Sequence, residues 1–125
     1  MPVQVVDLFC GVGGLTHGMI AAGLLVIAGF DNDETCRFAY EQNNETRFFN
    51  SDVKKITGAQ INALYDPGAT RVLVGCAPCQ PFSNMTTKWG KNESNDGKWD
   101  LLSEFGRIIQ ESLPDIVSME NVPKI

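Results

Sequence analysis

A β-branched apolar run, VQVVDLF at residues 3–9, stops at Cys10-Gly11 and is followed by three glycines in four positions. A continuous apolar run of that length, bounded by glycine, reads as a strand buried on both faces. Beyond the glycines Leu15, Met19 and Ala22 recur at i, i+4 and i+7, so a helix follows, and Gly23 ends it. A strand feeding a helix through a glycine turn commits the chain to βα units, and so to a parallel sheet covered on both faces.

The alternation continues. Residues 24–31 read as a second strand, 34–43 as a helix ending at Asn43-Asn44, and Phe48-Phe49 as the centre of a short third strand. A helix over 57–65 opens at a Thr57 cap and closes at Asp66-Pro67-Gly68. RVLVGCA (71–77) is a fourth strand. Residues 78–99 read as a loop carrying Lys88, Lys91 and Lys98. Leu101, Phe105, Ile108, Ile109 and Leu113 give an apolar face to a helix over 100–113, and Pro114 stops it. DIVSMEN (115–121) is the fifth strand. No internal repeat, linker or low-complexity tract interrupts the pattern. The last strand is left at the margin of the sheet, and an open apolar edge is unusual. The chain therefore reads as the front part of something larger.

At 125 residues this is one domain. A net charge of −5 excludes a chain that binds polyanions by bulk attraction. No apolar run approaches the ~20 residues of a membrane span, and no basic-then-apolar leader opens the sequence. The expectation is a cytoplasmic chain with reduced thiols, in which Cys10, Cys36, Cys76 and Cys79 are not a disulfide framework.

Gly11, Gly13 and Gly14 let backbone approach a ligand and aim the following helix at it. A dinucleotide fingerprint requires a further glycine at position 16, where Thr16 stands, which counts against a nicotinamide cofactor. Asp31 ends the second strand, placed to accept from ribose hydroxyls, and Asp52 ends the third, placed to meet an adenine amino group. The combination points to a nucleoside-bearing cofactor with no required diphosphate. S-adenosylmethionine fits.

VGCAPCQPFSN (74–84) sets two cysteines three apart at the end of a strand. A redox pair favours a helix N-terminus, and no helix signal begins here. Zinc needs four ligands, and neither a second close pair nor a suitable histidine exists, since His17 lies in a helical pattern on its own. No metal is expected. Cys76, within the strand, reads as a small buried hydrophobe. Cys79, between Pro78 and Pro81, is held on a stiff loop end facing the ligand crevice. Glu120 ends the next strand, and burial at its edge would raise its pKa toward that of a useful acid.

Taken together, DLFCGVGGL (7–15), PCQPFS (78–83) and ENVP (120–123) closely resemble the cofactor, nucleophile and glutamate motifs of the cytosine-C5 DNA methyltransferase family, in family order. The resemblance implies a partial Rossmann-like α/β sheet of an S-adenosylmethionine-dependent methyltransferase. It implies that Cys79 adds to C6 of cytosine, that Glu120 bonds the ring at N3 and the exocyclic amine, and that Asn121 positions the thiol loop. It also implies that Phe9, Gly11, Gly13, Gly14 and Leu15 line the methionine end of the cofactor. Asp31 and Asn32 would hold the ribose, Asp52 and Val53 flank the adenine, and Pro78 and Leu101 complete the wall. DNA would be the partner, with its target base flipped out, and 84–99 would close over it with lysines on phosphate. A transfer-RNA cytosine methyltransferase and a non-catalytic cofactor-fold binding partner are the alternatives. Gly75-Cys76-Ala77 departs from the proline or aromatic that the family more often has there. The family's arginine motif, target-recognition domain and final helix do not follow Ile125. Residues 1–125 are thus expected to be the N-terminal part of a catalytic domain that needs a C-terminal half or second subunit, and to be weakly active alone. In a bacterium it would be associated with the nucleoid.

Overall fold

The computed structural model describes residues 2–77 and 92–120, with residues 92–100 described by their backbone only. Five parallel strands form one sheet: β1 (Val3–Leu8), β2 (Leu25–Asp31), β3 (Arg47–Asn50), β4 (Thr70–Gly75) and β5 (Ile116–Met119), in the spatial order β3-β2-β1-β4-β5. The helices are α1 (Gly14–Ala21), α2 (Arg37–Asn44), α3 (Gly58–Asn62) and α4 (Asn92–Ser112), with short 3₁₀ turns at Glu34–Cys36 and Val53–Lys55. The chain steps outward from β1 to β3, then returns to the other side of β1 at β4. That reversal opens a crevice at the carboxyl ends of β1 and β4, where α/β sheets bind ligands.

Alternation along the strands supplies a core on each face. Val6, Leu8, Ala28, Phe30 and Leu73 pack against Ile61 of α3 and Phe105 and Ile108 of α4. Val5, Val26, Val72 and Val74 face the other way, against Leu15 and Met19 of α1. Gln4, buried in β1, is satisfied by a reciprocal pair with Asp66: its amide donates to Oδ2 at 2.9 Å and its Oε1 accepts the Asp66 N–H at 2.8 Å. This pins the α3–β4 turn to the start of β1.

Local signals set the helix ends. Thr57 Oγ1 accepts the Gln60 N–H at 3.1 Å while Gln60 Oε1 accepts the Thr57 N–H at 2.9 Å, a reciprocal cap. Thr57→Ala is expected to cost about 1 kcal/mol in urea denaturation. Gly23 stops α1 at φ +92°.

The α3 helix, expected over 57–65, spans only Gly58–Asn62, and the largest difference from expectation is at α4. The helix placed at 100–113 begins at Asn92, so 92–99 is not loop. Ser, Asn, Asp and Gly in that stretch favour turns locally. A helix already anchored by Phe105 and Ile108 nevertheless extends, because each added residue gains a hydrogen bond with no new nucleation cost. β5 is an edge strand with all four residues exposed, Ile116 at 52%, Val117 at 40% and Met119 at 42%. Among the described residues no helix is long and apolar enough to cross a membrane.

Candidate functional site

Pairing continues past the strand ends. Cys10 N–H bonds Phe30 O at 2.9 Å, Ser51 N–H bonds Asp31 O at 3.0 Å, and Glu120 N–H bonds Gly75 O at 2.9 Å. The carboxyl ends are thereby held in one row. Along it lies a cavity of about 160 Å³. Phe9, Asp31, Asn32, Asp52, Val53 and Leu101 line it, so six residues singled out in the sequence are brought together. Leu8, Phe30, Ser51 and Ile56, which the sequence did not single out, complete the wall together with Cys76.

The glycine turn lies behind this cavity and not in its lining. Gly11, at φ +55°, donates its N–H to Asp31 Oδ2 at 2.8 Å, and Asp33 N–H bonds Oδ1 at 3.0 Å. Each carboxylate oxygen retains a second lone pair, enough to accept from two hydroxyls. Asp52 Oδ1 caps its 3₁₀ turn by accepting the Lys54 N–H at 3.0 Å. Phe9 holds φ +57°, sparsely populated for an aromatic residue, and its ring meets Phe105 edge-on at 6.4 Å. Such strain persists only where packing over-determines it. Gly13 is required by packing: a Cβ there would lie 2.8 Å from Tyr40 Cδ2.

Three expected residues are placed elsewhere. Gly14 and Leu15 line a separate shallow depression beside α1, together with Glu120, which is exposed. Leu15 also packs into the α1 face of the sheet, because its position on the helix points it at Val5 and Val74 and their neighbours. Pro78, Cys79 and Asn121 lie outside the described residues, as do Lys88 and Lys91. The expectation for Cys76 is corrected: β4 ends at Gly75, so Cys76 stands exposed at the cavity and not within the core.

Behind the turn the fold buries an acid. Asp7 of β1 is 1% exposed. Its Oδ2 accepts from Thr16 Oγ1 at 2.6 Å, and Thr16 Oγ1 lies 2.9 Å from the Tyr40 hydroxyl. With the Thr16 proton given to Asp7, Tyr40 must be the donor to Thr16. Asp7 Oδ1 accepts no hydrogen bond among the described residues. Burial pushes this carboxyl up to about 7, against the lowering effect of Thr16, and Asp31 and Glu120 raise it further by repulsion. Burial likewise pushes the Cys10 thiol and the Tyr40 phenol upward, so both stay protonated. An acid inside an apolar strand, with a hydroxyl nine residues on, was the signal in the sequence for this network.

Arg107 of α4 braces the opposite wall. Its Nη2 donates to Val53 O at 3.1 Å and Ile56 O at 2.9 Å, while Glu104 and Glu111 hold its other nitrogens. Leu101 and the Asp52–Val53 wall are therefore positioned by one helix. Among the described residues no cluster of three or more His, Cys, Asp or Glu is placed to hold a metal ion.

The five-stranded parallel sheet and its strand-end cavity define an α/β domain of the Rossmann-like class. The model of the C-5 cytosine-specific DNA methylase family matches residues 3–125, and the chain belongs to that family. The type II methylase M.HgiDII of Herpetosiphon aurantiacus is 54% identical over 121 residues, covering 97% of this chain and 33% of that protein. The type II methyltransferase M.HgiGI of the same organism is 30% identical, with 98% and 92% covered. A crystal structure described as a DNA modification methyltransferase encoded within an E. coli prophage superposes with a TM-score of 0.76 at 27% identity, covering 98% of this chain and 33% of that one. The chain thus spans about a third of the length of M.HgiDII.

Proposed function

We propose that this chain is the cofactor and nucleophile portion of an enzyme that methylates C5 of cytosine in DNA, with target recognition supplied by a C-terminal half or second subunit. One observation carries the reading. The cavity joins Asp31, Asp52, Phe9 and Leu101 to Cys76, and the sequence runs from Cys76 through Ala77 into Pro78-Cys79-Gln80. Its chemistry fits S-adenosylmethionine: apolar and aromatic walls suit an adenine, and Asp31 keeps acceptor capacity for a ribose diol. Asn32 would lie beside the ribose, Val53 and Asp52 by the base, Phe9, Gly11 and Gly13 toward the methionine end, and Pro78 and Leu101 would complete the wall. Bound there, the cofactor supplies the methyl group.

The residues then divide the work. A DNA cytosine must leave the duplex to be reached. The Cys79 thiolate forms a bond to C6, and the 5,6 double-bond electrons move toward C5, which becomes nucleophilic. Glu120 hydrogen-bonds N3 and the exocyclic amine, offsetting the charge that develops as the thiolate adds. After C5 has gained its methyl group, a base removes the C5 proton. The freed pair restores the double bond and expels Cys79. Covalent addition splits one hard step into easier ones. Asn121 positions the thiol segment. The exposed apolar Ile116, Val117 and Met119 of β5 support a further element on that edge.

Labelled methyl transfer to mixed-sequence DNA and, separately, to bulk transfer RNA tests the reading, with a C-terminal portion from a family relative added in trans. DNA is expected to be labelled, and Cys79→Ser to lower the rate at least about a thousandfold. Labelling of transfer RNA alone would move the substrate, and full activity of Cys79→Ser would remove the covalent route.

A further inference from the structure

The turn that follows β3 is a thin wall. Ser51, Asp52 and Ile56 line the strand-end cavity on one side and, with Phe49, Lys55 and Gln60, a wider groove on the other. Little within the turn holds it: Lys55 N–H bonds Asp52 O at 2.8 Å, Ile56 N–H bonds Val53 O at 3.2 Å, and Asp52 Oδ1 accepts the Lys54 N–H at 3.0 Å. A single 3₁₀ turn has poor hydrogen-bond geometry and keeps its shape weakly. The brace comes from α4, where Arg107 Nη2 bridges the carbonyls of Val53 and Ile56 at 3.1 and 2.9 Å. Glu104 accepts from its Nε at 2.6 Å and Glu111 from its Nη1 at 3.0 Å. Glu111 also accepts the Gly58 N–H at 2.8 Å, so the chain beyond the turn is bound to the same helix. Arg107 itself does not line the cavity.

We propose that Arg107 is a positioning residue for the base of the cofactor: by clamping the 52–56 turn to α4 it aims the Asp52 carboxylate at the amino edge of the ring, and so makes the site prefer a 6-aminopurine to a 6-oxopurine. The inference rests on the reading that an adenosyl cofactor binds here with its base beside Asp52 and Val53. Because Asp52 Oδ1 is tied to the Lys54 N–H of the turn, the carboxylate moves when the turn moves. An ionised carboxylate only accepts, so an exocyclic amine donates to it, whereas an oxo group sets acceptor against acceptor. Leu101 of the same helix lines the cavity, so α4 both supplies a wall and fixes where the turn stands. The planar guanidinium meets two carbonyls and two carboxylates at once; the point charge of a lysine cannot reproduce that fork.

Titration calorimetry tests this on the full chain, with a C-terminal portion from a family relative added in trans. The ligands are S-adenosylhomocysteine and S-inosylhomocysteine, which differ in the 6-substituent of the purine. Wild type is expected to favour the amino ligand about thirtyfold, the worth of one hydrogen bond to a charged group. Arg107→Lys should bring that ratio below about fivefold. Asp52→Asn should do the same, and joining the two should lower it no further, because both remove one interaction. General loosening of the fold weakens both ligands alike and cancels in the ratio. Tyr65→Phe, which loses a 2.6 Å hydrogen bond to Val72 O in the core, should therefore keep the wild-type preference. Where Arg107→Lys does not fold, Glu104→Gln weakens the hold on Nε and should lower the preference about threefold. A preference unchanged in the folded variant overturns the proposal and leaves the cofactor reading intact. Equal binding of both ligands by wild type overturns it as well, and binding of neither overturns the cofactor reading on which it rests.

Discussion

Gly29→Ala is expected to destabilise the domain by about 3 kcal/mol, because a side chain there has nowhere to go. A Cβ on Gly29 would meet the Tyr40 ring and hydroxyl below 2.5 Å and Cys10 Sγ at 2.9 Å. Tyr40 is fully buried and packs edge-on to Phe48, with ring centroids 5.7 Å apart. It also bonds Thr16, so it cannot swing aside without breaking the network behind the glycine turn. The strand itself is fixed, since Gly29 pairs with Asp7 and Phe48 on either side. Gly18→Ala is the internal control. Gly18 lies within α1, nothing is within 4 Å of its added Cβ, and alanine there should stabilise by about 0.5–1 kcal/mol. Chemical denaturation of both variants decides it. Equal midpoints for Gly29→Ala and wild type would show that Tyr40 does not occupy this place.

The second large effect is a pH dependence. The carboxyl of Asp7 has an ordinary value of 3.8 and a folded-state value of about 7. The native state therefore binds the proton more tightly than the unfolded chain does. The stabilising contribution of the protonated acid is fully present below pH 4 and is lost as pH rises through 7. A difference of about three pH units corresponds to roughly 4 kcal/mol. Other carboxylates titrate over part of the same range, so the quantity to read is the difference between wild type and Asp7→Asn. Asparagine preserves the acceptor for Thr16 and cannot ionise. Its advantage over wild type should grow by roughly 4 kcal/mol between pH 4 and pH 8. A constant difference across that range would mean that Asp7 is solvated or paired in the folded protein.

Much of this domain was legible one segment at a time. The apolar run before the glycines, the 3.6-residue spacing of Leu15 and Met19, the Thr57 cap and Pro114 are local signals, and the elements follow them to within a few residues. Parallel strands joined by helices place every strand's carboxyl end on one side, so Asp31 and Asp52 at strand ends already pointed to a common crevice. The apolar character of β5, which lies at the margin of the sheet, was likewise visible.

What the sequence by itself determined was this framework: which segments are strands, that they run parallel, and that the chemistry-bearing residues gather at one rim. The tertiary structure alone decided which of them share a cavity and what stands behind it. Asp7 reads as a strand residue until Tyr40, far along the chain, closes the hydroxyl relay over it. Gly13 reads as a ligand glycine until Tyr40 and Asn44 are seen against it. Cys76 reads as core until the strand ends one residue earlier. Arg107 joins the wall only through carbonyls more than fifty residues before it. The reason is physical. Backbone propensity and apolar periodicity act between near neighbours, whereas burial, desolvation and the partner of a polar group depend on which distant segments pack together.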